Sequence, residues 1–178
     1  MLKFRLILFF SVCFFALKTV GQKNTTDENE LYRLIMQHRR KSGLPVIPLS
    51  SALSKVARIH AKDLMENYTA KAGCNMHSWS DKGNWIPVCY SPDHRDASLM
   101  WSKPSELSTY KGNGYEIAYF HSERAIPTEA LESWKQSDGH HDLILNRNSW
   151  TREWNAVGIG INGNYALVWF GFEKDNKD

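Results

Sequence analysis

The chain has 178 residues, which suits one domain with a substantial core and leaves little room for a second. Its seven Trp, seven Tyr and eight Phe argue against a disordered chain, since disordered chains are poor in aromatic residues. The formal net charge is +3, but the first 21 residues carry three basic and no acidic side chains. The remainder therefore has 19 residues of each sign, so its charge is no evidence for a nucleic-acid or anionic-membrane partner.

Residues 1–21 have the form of a secretory signal peptide. Two basic residues precede an apolar run from Leu6 to Leu17, and Thr19-Val20-Gly21 supplies the modest side chains of a cleavage site. A membrane-spanning helix needs roughly twenty apolar residues, and this run has about a dozen. We therefore predict export, to a periplasm or to the extracellular medium, and no integral membrane segment in the mature protein. The predicted organisation is a signal peptide at 1–21, a flexible N-terminus at 22–29, a folded domain at 30–173 and a polar tail at 174–178.

The hydrophobic pattern predicts two helices in the first third of the chain. Asp27 and Glu30 have the spacing of a capping box, and the amphipathic pattern that follows ends at Gly43, which can form a C-cap. An apolar stripe from Leu53 to Leu64 predicts the second helix. His60 lies on that stripe, and we interpret it as a hydrogen-bonded core histidine rather than as a ligand.

The rest of the chain predicts ordered loops, strands and one more helix. Residues 69–113 are rich in Gly, Pro, Asn, Ser and Asp, which is typical of loops and short helices. Tyr115–Phe120 has the pattern of a strand, and Thr128 can cap a helix. The segment from Val157 to Phe172 predicts an antiparallel hairpin, with Asn162-Gly163 as a type I′ turn. Helices packed on an antiparallel sheet make an α+β fold.

Two cysteines follow the predicted signal peptide, Cys74 and Cys89. In an exported chain an even pair of cysteines is typical of one disulfide, and two free buried thiols are the alternative. Closing a loop of this length stabilises the fold by roughly 3 kcal/mol. A cysteine-rich zinc site is not expected, because there is no second pair.

Short sequence motifs alone assign no catalytic or binding chemistry to this chain. The seven histidines show no His-Glu-x-x-His spacing, and neither a Gly-x-Ser-x-Gly elbow nor a phosphate-binding glycine loop occurs. No nucleophile–base pair can be identified in the sequence.

Four stretches in order resemble the CAP superfamily of cysteine-rich secretory proteins, antigen 5 and plant pathogenesis-related 1 proteins. No single stretch is decisive, and the order and spacing carry the resemblance. The stretches are Leu34–Arg40 with the helices that follow it, Met76-His77-Ser78, Gly114–Ala118 and Trp134–His140. Two later segments also fit the family pattern, namely Trp154–Gly160 and Trp169-Phe170-Gly171.

This resemblance implies a three-layer α-β-α sandwich with a central antiparallel sheet. It also implies a cleft where two histidines and one or two acidic residues meet, and in some family members the histidines hold a divalent metal, often zinc. Carried over by position, the histidines are His77 and His140. Neutral imidazole suits zinc, and two histidines plus a carboxylate leave a coordination position open.

The acidic residues depart from the family pattern. The family's Glu follows the Gly directly, whereas here Tyr115 takes that place and Glu116 comes one residue later. Neighbours in a strand face opposite ways, so this displacement would turn Glu116 away from the histidines unless a bulge restored it. Otherwise Tyr115 lines the cleft. The second acidic position of eukaryotic members holds Ser137.

Other histidines and aromatic residues are given structural interpretations. We expect His141 to be solvated, because neighbours on a helix or turn point apart. His94 and His121 have the context of loop residues without an identifiable partner. Four aromatic residues near His77 in sequence could stack on a sugar or hold a lipid, but packing between loop and sheet is the commoner role. They are Trp79, Trp85, Tyr90 and Trp101.

Three hypotheses for function follow. The leading one is a secreted, non-catalytic binding module for a divalent metal, a small apolar molecule or another extracellular ligand, such as a lipid, peptide or glycan. The alternative is a zinc-dependent hydrolase, with zinc on His77 and His140 and Glu116 as general base. In the third, the histidines only form hydrogen bonds across the cleft.

Overall fold

The computed structural model describes residues 23–70 and 73–175, so the predicted signal peptide lies outside the described residues. Within that part of the chain, no helix combines the length and the apolar character needed to cross a membrane. The elements are α1 (Thr26–Lys41), α2 (Ser51–Asn67), α3 (Ala97–Trp101), α4 (Lys103–Leu107), β1 (Gly114–Phe120), α5 (Pro127–Lys135), α6 (Asp138–Ile144), a 3-10 helix (Asn148–Trp150), β2 (Ala156–Asn162) and β3 (Tyr165–Gly171).

The three strands form one antiparallel sheet in the order β1-β3-β2. The predicted hairpin of β2 and β3 is present, but its turn lies one residue later than expected, because Asn162 pairs with Tyr165. The two turn residues are therefore Gly163 and Asn164. Gly163 has a φ of 54°, a left-handed conformation that glycine adopts without steric cost.

Alternate residues of the sheet pack into two separate cores, which makes the three-layer α-β-α sandwich that the family resemblance implied. On one face, Leu167 and Trp169 pack against α2 and the loops beyond it. On the other, Val168 and Phe170 pack against α1, α5 and α6. A strand buried on both faces carries apolar residues at successive positions, and all seven residues of β3 are buried.

Two glycines allow α2 to lie directly on β2. A Cβ atom on Gly158 would come within 2.2 Å of the Leu53 carbonyl carbon, and one on Gly160 within 2.3 Å of that of Ala57. The small residues that alternate with Val157, Ile159 and Ile161 are therefore required by the close approach of helix and strand.

The first helix begins earlier than the sequence analysis placed it. Thr25, not Asp27, is the N-cap, and the reciprocal capping-box partner is Glu28. Residues 26–29, predicted to be flexible, therefore form the first turn of α1.

The disulfide between Cys74 and Cys89 is confirmed, with a Cα–Cα distance of 5.0 Å. It closes a loop that is also held by a two-way backbone contact between Trp79 and Val88, at 2.8 and 3.1 Å. This loop, residues 74–89, lies over the C-terminal half of α2 and carries His77.

Candidate functional site

Glu116 faces α2 and the histidines without any bulge in its strand. The pairing of β1 with β3 is continuous from Gly114 to Phe120, with Glu116 opposite Trp169. Gly114, two residues earlier, lies on the same face, since a Cβ there would meet the Trp169 ring at 2.7 Å. Of the two directions that the sequence left open for Glu116, the strand takes the one toward the histidines, because the register with β3 sets its direction.

Tyr115 consequently points to the opposite face, so its placement in the cleft is corrected. Its ring packs among four aromatic rings, three of them in the other core, at centroid distances of 5.0 to 5.7 Å. These rings belong to Trp101, Trp150, Trp154 and Phe172.

The Glu116 carboxylate is fully buried and bridges two histidines. Oε2 lies 2.6 Å from Nδ1 of His60, and Oε1 lies 2.9 Å from Nδ1 of His77. These contacts tie together three elements, namely α2, β1 and the disulfide loop. Of the predicted cleft residues, the structure thus joins His77 and Glu116 directly.

The hydrogen bonds of His60 fix its protonation with Glu116. Its Nε2 lies 3.0 Å from the Ser78 carbonyl oxygen, which only accepts, so this nitrogen carries a hydrogen. A second hydrogen must lie between Nδ1 and the carboxylate, because two lone pairs would otherwise face each other. The pair therefore holds one shared proton and has no net charge.

Burial and the two imidazoles act in opposite directions on Glu116. Burial alone would raise the pKa of this carboxyl, but the charges and hydrogen bonds of His60 and His77 hold its pKa below the ordinary value. The histidines therefore stabilise the charged form of a group that has no contact with water.

His77 presents its outer nitrogen away from the carboxylate. Nδ1–H donates to Glu116, so in the neutral ring the lone pair is on Nε2, which has no hydrogen-bond partner within the described residues. The side chain is 18% exposed. The Asn75 side chain accepts from the His77 backbone N–H at 2.9 Å, and Tyr90 contacts the ring edge, so the ring is well positioned.

His140 is the third residue of α6 and is half-buried. Burial lowers its pKa, and a hydrogen ion on nearby His77 would lower it further. The predicted pair is therefore close enough to interact electrostatically, and His140 is kept neutral at pH 7.

His60 is the site residue whose role the sequence analysis missed. Its interpretation as a hydrogen-bonded core histidine is confirmed, since it is fully buried and stacks on Trp79 at 4.1 Å. The sequence feature that could have revealed this role was the position of His60 on the apolar stripe of α2. A buried imidazole there requires a polar partner, and Glu116 is that partner.

Three other histidines have partners that the sequence did not reveal. His141 is half-buried instead of a free surface residue, and its Nε2 lies 2.9 Å from Nε2 of His38 in α1. His94 has the Tyr90 hydroxyl as partner at 2.8 Å. His121 accepts from a backbone N–H in its own loop at 3.1 Å.

The aromatic residues near His77 mostly have the packing role that was expected. Trp79 and Tyr90 are buried, while Trp85 and Trp101 are half-buried. Trp85 donates its indole N–H to the Ser80 carbonyl at 2.8 Å. These rings fill the space between loop, α2 and sheet.

A metal at this site would have the two histidines as its protein ligands. Between residues 23 and 175, leaving aside 71 and 72, no three His, Cys, Asp or Glu side chains converge as a ligand set. Glu116 is held by imidazoles on both oxygens, which leaves Nε2 of His77 and the ring of His140. A carboxylate behind a histidine is the usual outer partner of a metal ligand, so the donor chemistry fits.

A cavity of about 660 Å³ lies between the end of α2 and the disulfide loop, and neither His77 nor His140 is among its lining residues. Its walls include Trp79, Lys82 and three acidic residues, Asp63, Glu66 and Asp81. Asp63 is already held by Ser80 and Asn67. We place the candidate site at the histidines, where the positioned donor atoms are.

Comparison with known proteins agrees with this fold. The model of the CAP family, the cysteine-rich secretory protein family, matches residues 32–168. An outer surface protein of Borrelia burgdorferi is similar, with a TM-score of 0.57 and 20% identity over 87% of this chain and 100% of that one. An extracellular SCP-domain protein of Bacillus anthracis has a TM-score of 0.57 and 17% identity over 83% of this chain and 40% of its own. No curated protein matches the sequence. Since the family model covers most of the chain, this protein belongs to the CAP family.

Proposed function

We propose that this protein is an exported, non-catalytic binding module that holds a divalent transition-metal ion, zinc foremost, on His77 and His140. The observation that carries the proposal is the hydrogen bond from His77 Nδ1 to buried Glu116, which in the neutral ring places the lone pair on the outer nitrogen, Nε2. Export is supported by the form of residues 1–21, by the disulfide and by the extracellular origin named for the Bacillus relative.

The electrostatics of the two histidines favour metal binding. A metal ligand must be a neutral imidazole, and burial lowers the pKa of His140 toward that form. The Glu116 carboxylate fixes the tautomer of His77 and raises the basicity of its outer nitrogen. Two imidazoles leave further coordination positions for water or for a donor group of the bound partner.

The burial of Glu116 argues against the hydrolase hypothesis. A general base must reach the proton it abstracts, directly or through one water molecule. The Glu116 side chain has no exposed surface, and both oxygens are engaged by histidines. Glu116 accepts a hydrogen bond from His77 and has no access to a water molecule that it could activate. The adjacent cavity, with its acidic walls, gives little support to a purely apolar ligand.

The proposal is tested by zinc titration of the metal-free protein in a calorimeter. We expect His77→Gln/His140→Gln to lose one zinc equivalent relative to wild type. His121→Gln is the control, since His121 accepts from backbone N–H groups of its own loop and is not among the residues that position His77. An unchanged number of bound zinc ions in the double variant would contradict the proposal.

A second measurement addresses the absence of catalysis. Saturating zinc should raise the melting temperature, because a ligand at 100 times its Kd stabilises the native state by about 2.7 kcal/mol. Zinc-loaded protein should not hydrolyse peptide, ester or glycan substrates. Turnover that disappears in His77→Ala would overturn the non-catalytic assignment.

A further inference from the structure

A second pair of histidines meets where α1 packs near α6, the helix that also carries His140. His141 of α6 and His38 of α1 approach with their Nε2 atoms 2.9 Å apart, and both residues are half-buried. The residues are 103 positions apart in sequence, so the contact depends on the packing of the helices. Neither residue takes part in the hydrogen-bond network of Glu116.

The two rings meet tip to tip. Their centroids are 5.1 Å apart and their planes differ by 24°. The centroid distance exceeds the nitrogen–nitrogen distance by about two ring radii, so the rings do not stack face to face. One Nε2 donates a hydrogen to the lone pair of the other.

Nothing in the described residues fixes which tautomer each ring adopts. Neither Nδ1 has a hydrogen-bond partner there, in contrast to His60 and His77, whose Nδ1 atoms are held by Glu116. The donating ring can therefore move its hydrogen from Nε2 to Nδ1 without losing another contact. Two Nε2 lone pairs then face the same point.

We propose that His38 and His141 form a second binding site for a divalent transition-metal ion, of the kind that prefers imidazole nitrogen. Zinc, nickel and copper are such ions. A tetrahedral ion with bonds of 2.0–2.1 Å holds two ligand nitrogens about 3.3 Å apart, so these must separate by a few tenths of an ångström and tilt. Half-burial leaves room for that movement and for water ligands.

The surrounding charges make this the weaker of the two sites. Glu132 lies close enough to affect His38, but it is paired with Lys135 at 2.8 Å. Arg147 adds a positive charge nearby. Among residues 23–70 and 73–175, no carboxylate is hydrogen-bonded to either ring as Glu116 is to His77. Bound there, the ion would join α1 to α6, which is the helix that carries His140.

The experiment is a zinc titration of the full folded protein. Calorimetry measures the number of zinc equivalents bound, and NMR records the nitrogen resonances of the histidine side chains during the titration. We expect two zinc equivalents, with the Nε2 resonances of His38 and His141 shifting together in the weaker step. His38→Gln/His141→Gln should lose only that step, whereas His121→Gln, a control without a second histidine, should keep both.

The two sites share no ligand, so their failures can be told apart. Loss of binding only in His77→Gln/His140→Gln, with His38 and His141 resonances unmoved by zinc in wild type, would overturn the second site and leave the first. The wild-type resonances decide the matter even if the His38→Gln/His141→Gln variant does not fold.

Discussion

Replacing His60 with leucine tests whether the buried carboxylate depends on its imidazole partner. The substitution removes the 2.6 Å contact to Glu116 and the 3.0 Å contact to the Ser78 carbonyl, both in the protein interior. Removing one partner of a buried ion pair costs about 3–5 kcal/mol, because the remaining charge is left uncompensated. The free energy of unfolding of a typical domain is about 5–15 kcal/mol, so the loss should be large but measurable.

The pH dependence of this loss is the sharper test. A carboxyl whose pKa is lower in the folded than in the unfolded chain stabilises the fold above its unfolded value, and this stability is lost as the pH falls through the folded pKa. Glu116 is in that class. Without His60, burial raises the pKa of Glu116 above its unfolded value. The carboxyl then makes the variant more stable, not less, as the pH falls. The difference in unfolding free energy between wild type and His60→Leu should therefore shrink as the pH is lowered from 7 toward 4.

Urea unfolding at several pH values measures this difference. His60→Asn is the matched control, because its amide N–H can replace Nδ1–H as a donor to Glu116, and it should recover part of the stability at pH 7. A loss in His60→Leu that is below about 1 kcal/mol, within the usual range for one ordinary hydrogen bond, or that does not change with pH, would refute the account of Glu116 as a charge held by imidazoles.

Three further predictions concern the supports of the site. Glu116→Gln should weaken zinc binding to the His77 site by about 10- to 100-fold, the usual effect of losing an outer partner, as measured by calorimetry. Cys74→Ser/Cys89→Ser should lower the free energy of unfolding by about 3 kcal/mol and also weaken zinc binding, and unchanged zinc affinity would show that the loop keeps its form without the disulfide. Gly160→Ala should destabilise the protein by about 1–3 kcal/mol in urea unfolding, since its Cβ would overlap the backbone of α2, whereas Gly139→Ala, with open space around it, is the control.

The sequence was sufficient to predict helices and strands that show a regular pattern of apolar residues along the chain. The β2–β3 hairpin was recognisable because apolar and small residues alternate and a glycine follows an asparagine. The start of α1 was less certain locally, since Thr25–Glu28 and Asp27–Glu30 both have capping-box spacing. Burial decides between them: Glu28 is fully buried and pairs with Arg58 at 2.8 Å, a contact that only the folded chain provides.

The direction of Glu116 could not be derived from its offset in a family motif. Strand neighbours do face opposite ways, but the motif does not say which face each position takes. That is fixed by pairing with β3, where Trp169 and Glu116 share the α2 face. His141 was misjudged for a similar reason, because its partner His38 is distant in sequence and meets it only through the packing of α1 and α6.

The arrangement of charge at the site limits what can bind there. His60 and Glu116 together have no net charge and lie out of reach of solvent, so an incoming ligand meets the outer nitrogen of His77 and the ring of His140 rather than a carboxylate. Hard cations such as calcium and magnesium prefer oxygen ligands and have none available from this network. Under the proposed function the site would favour ions that bind imidazole, and the displaced glutamate would act by fixing the orientation of His77.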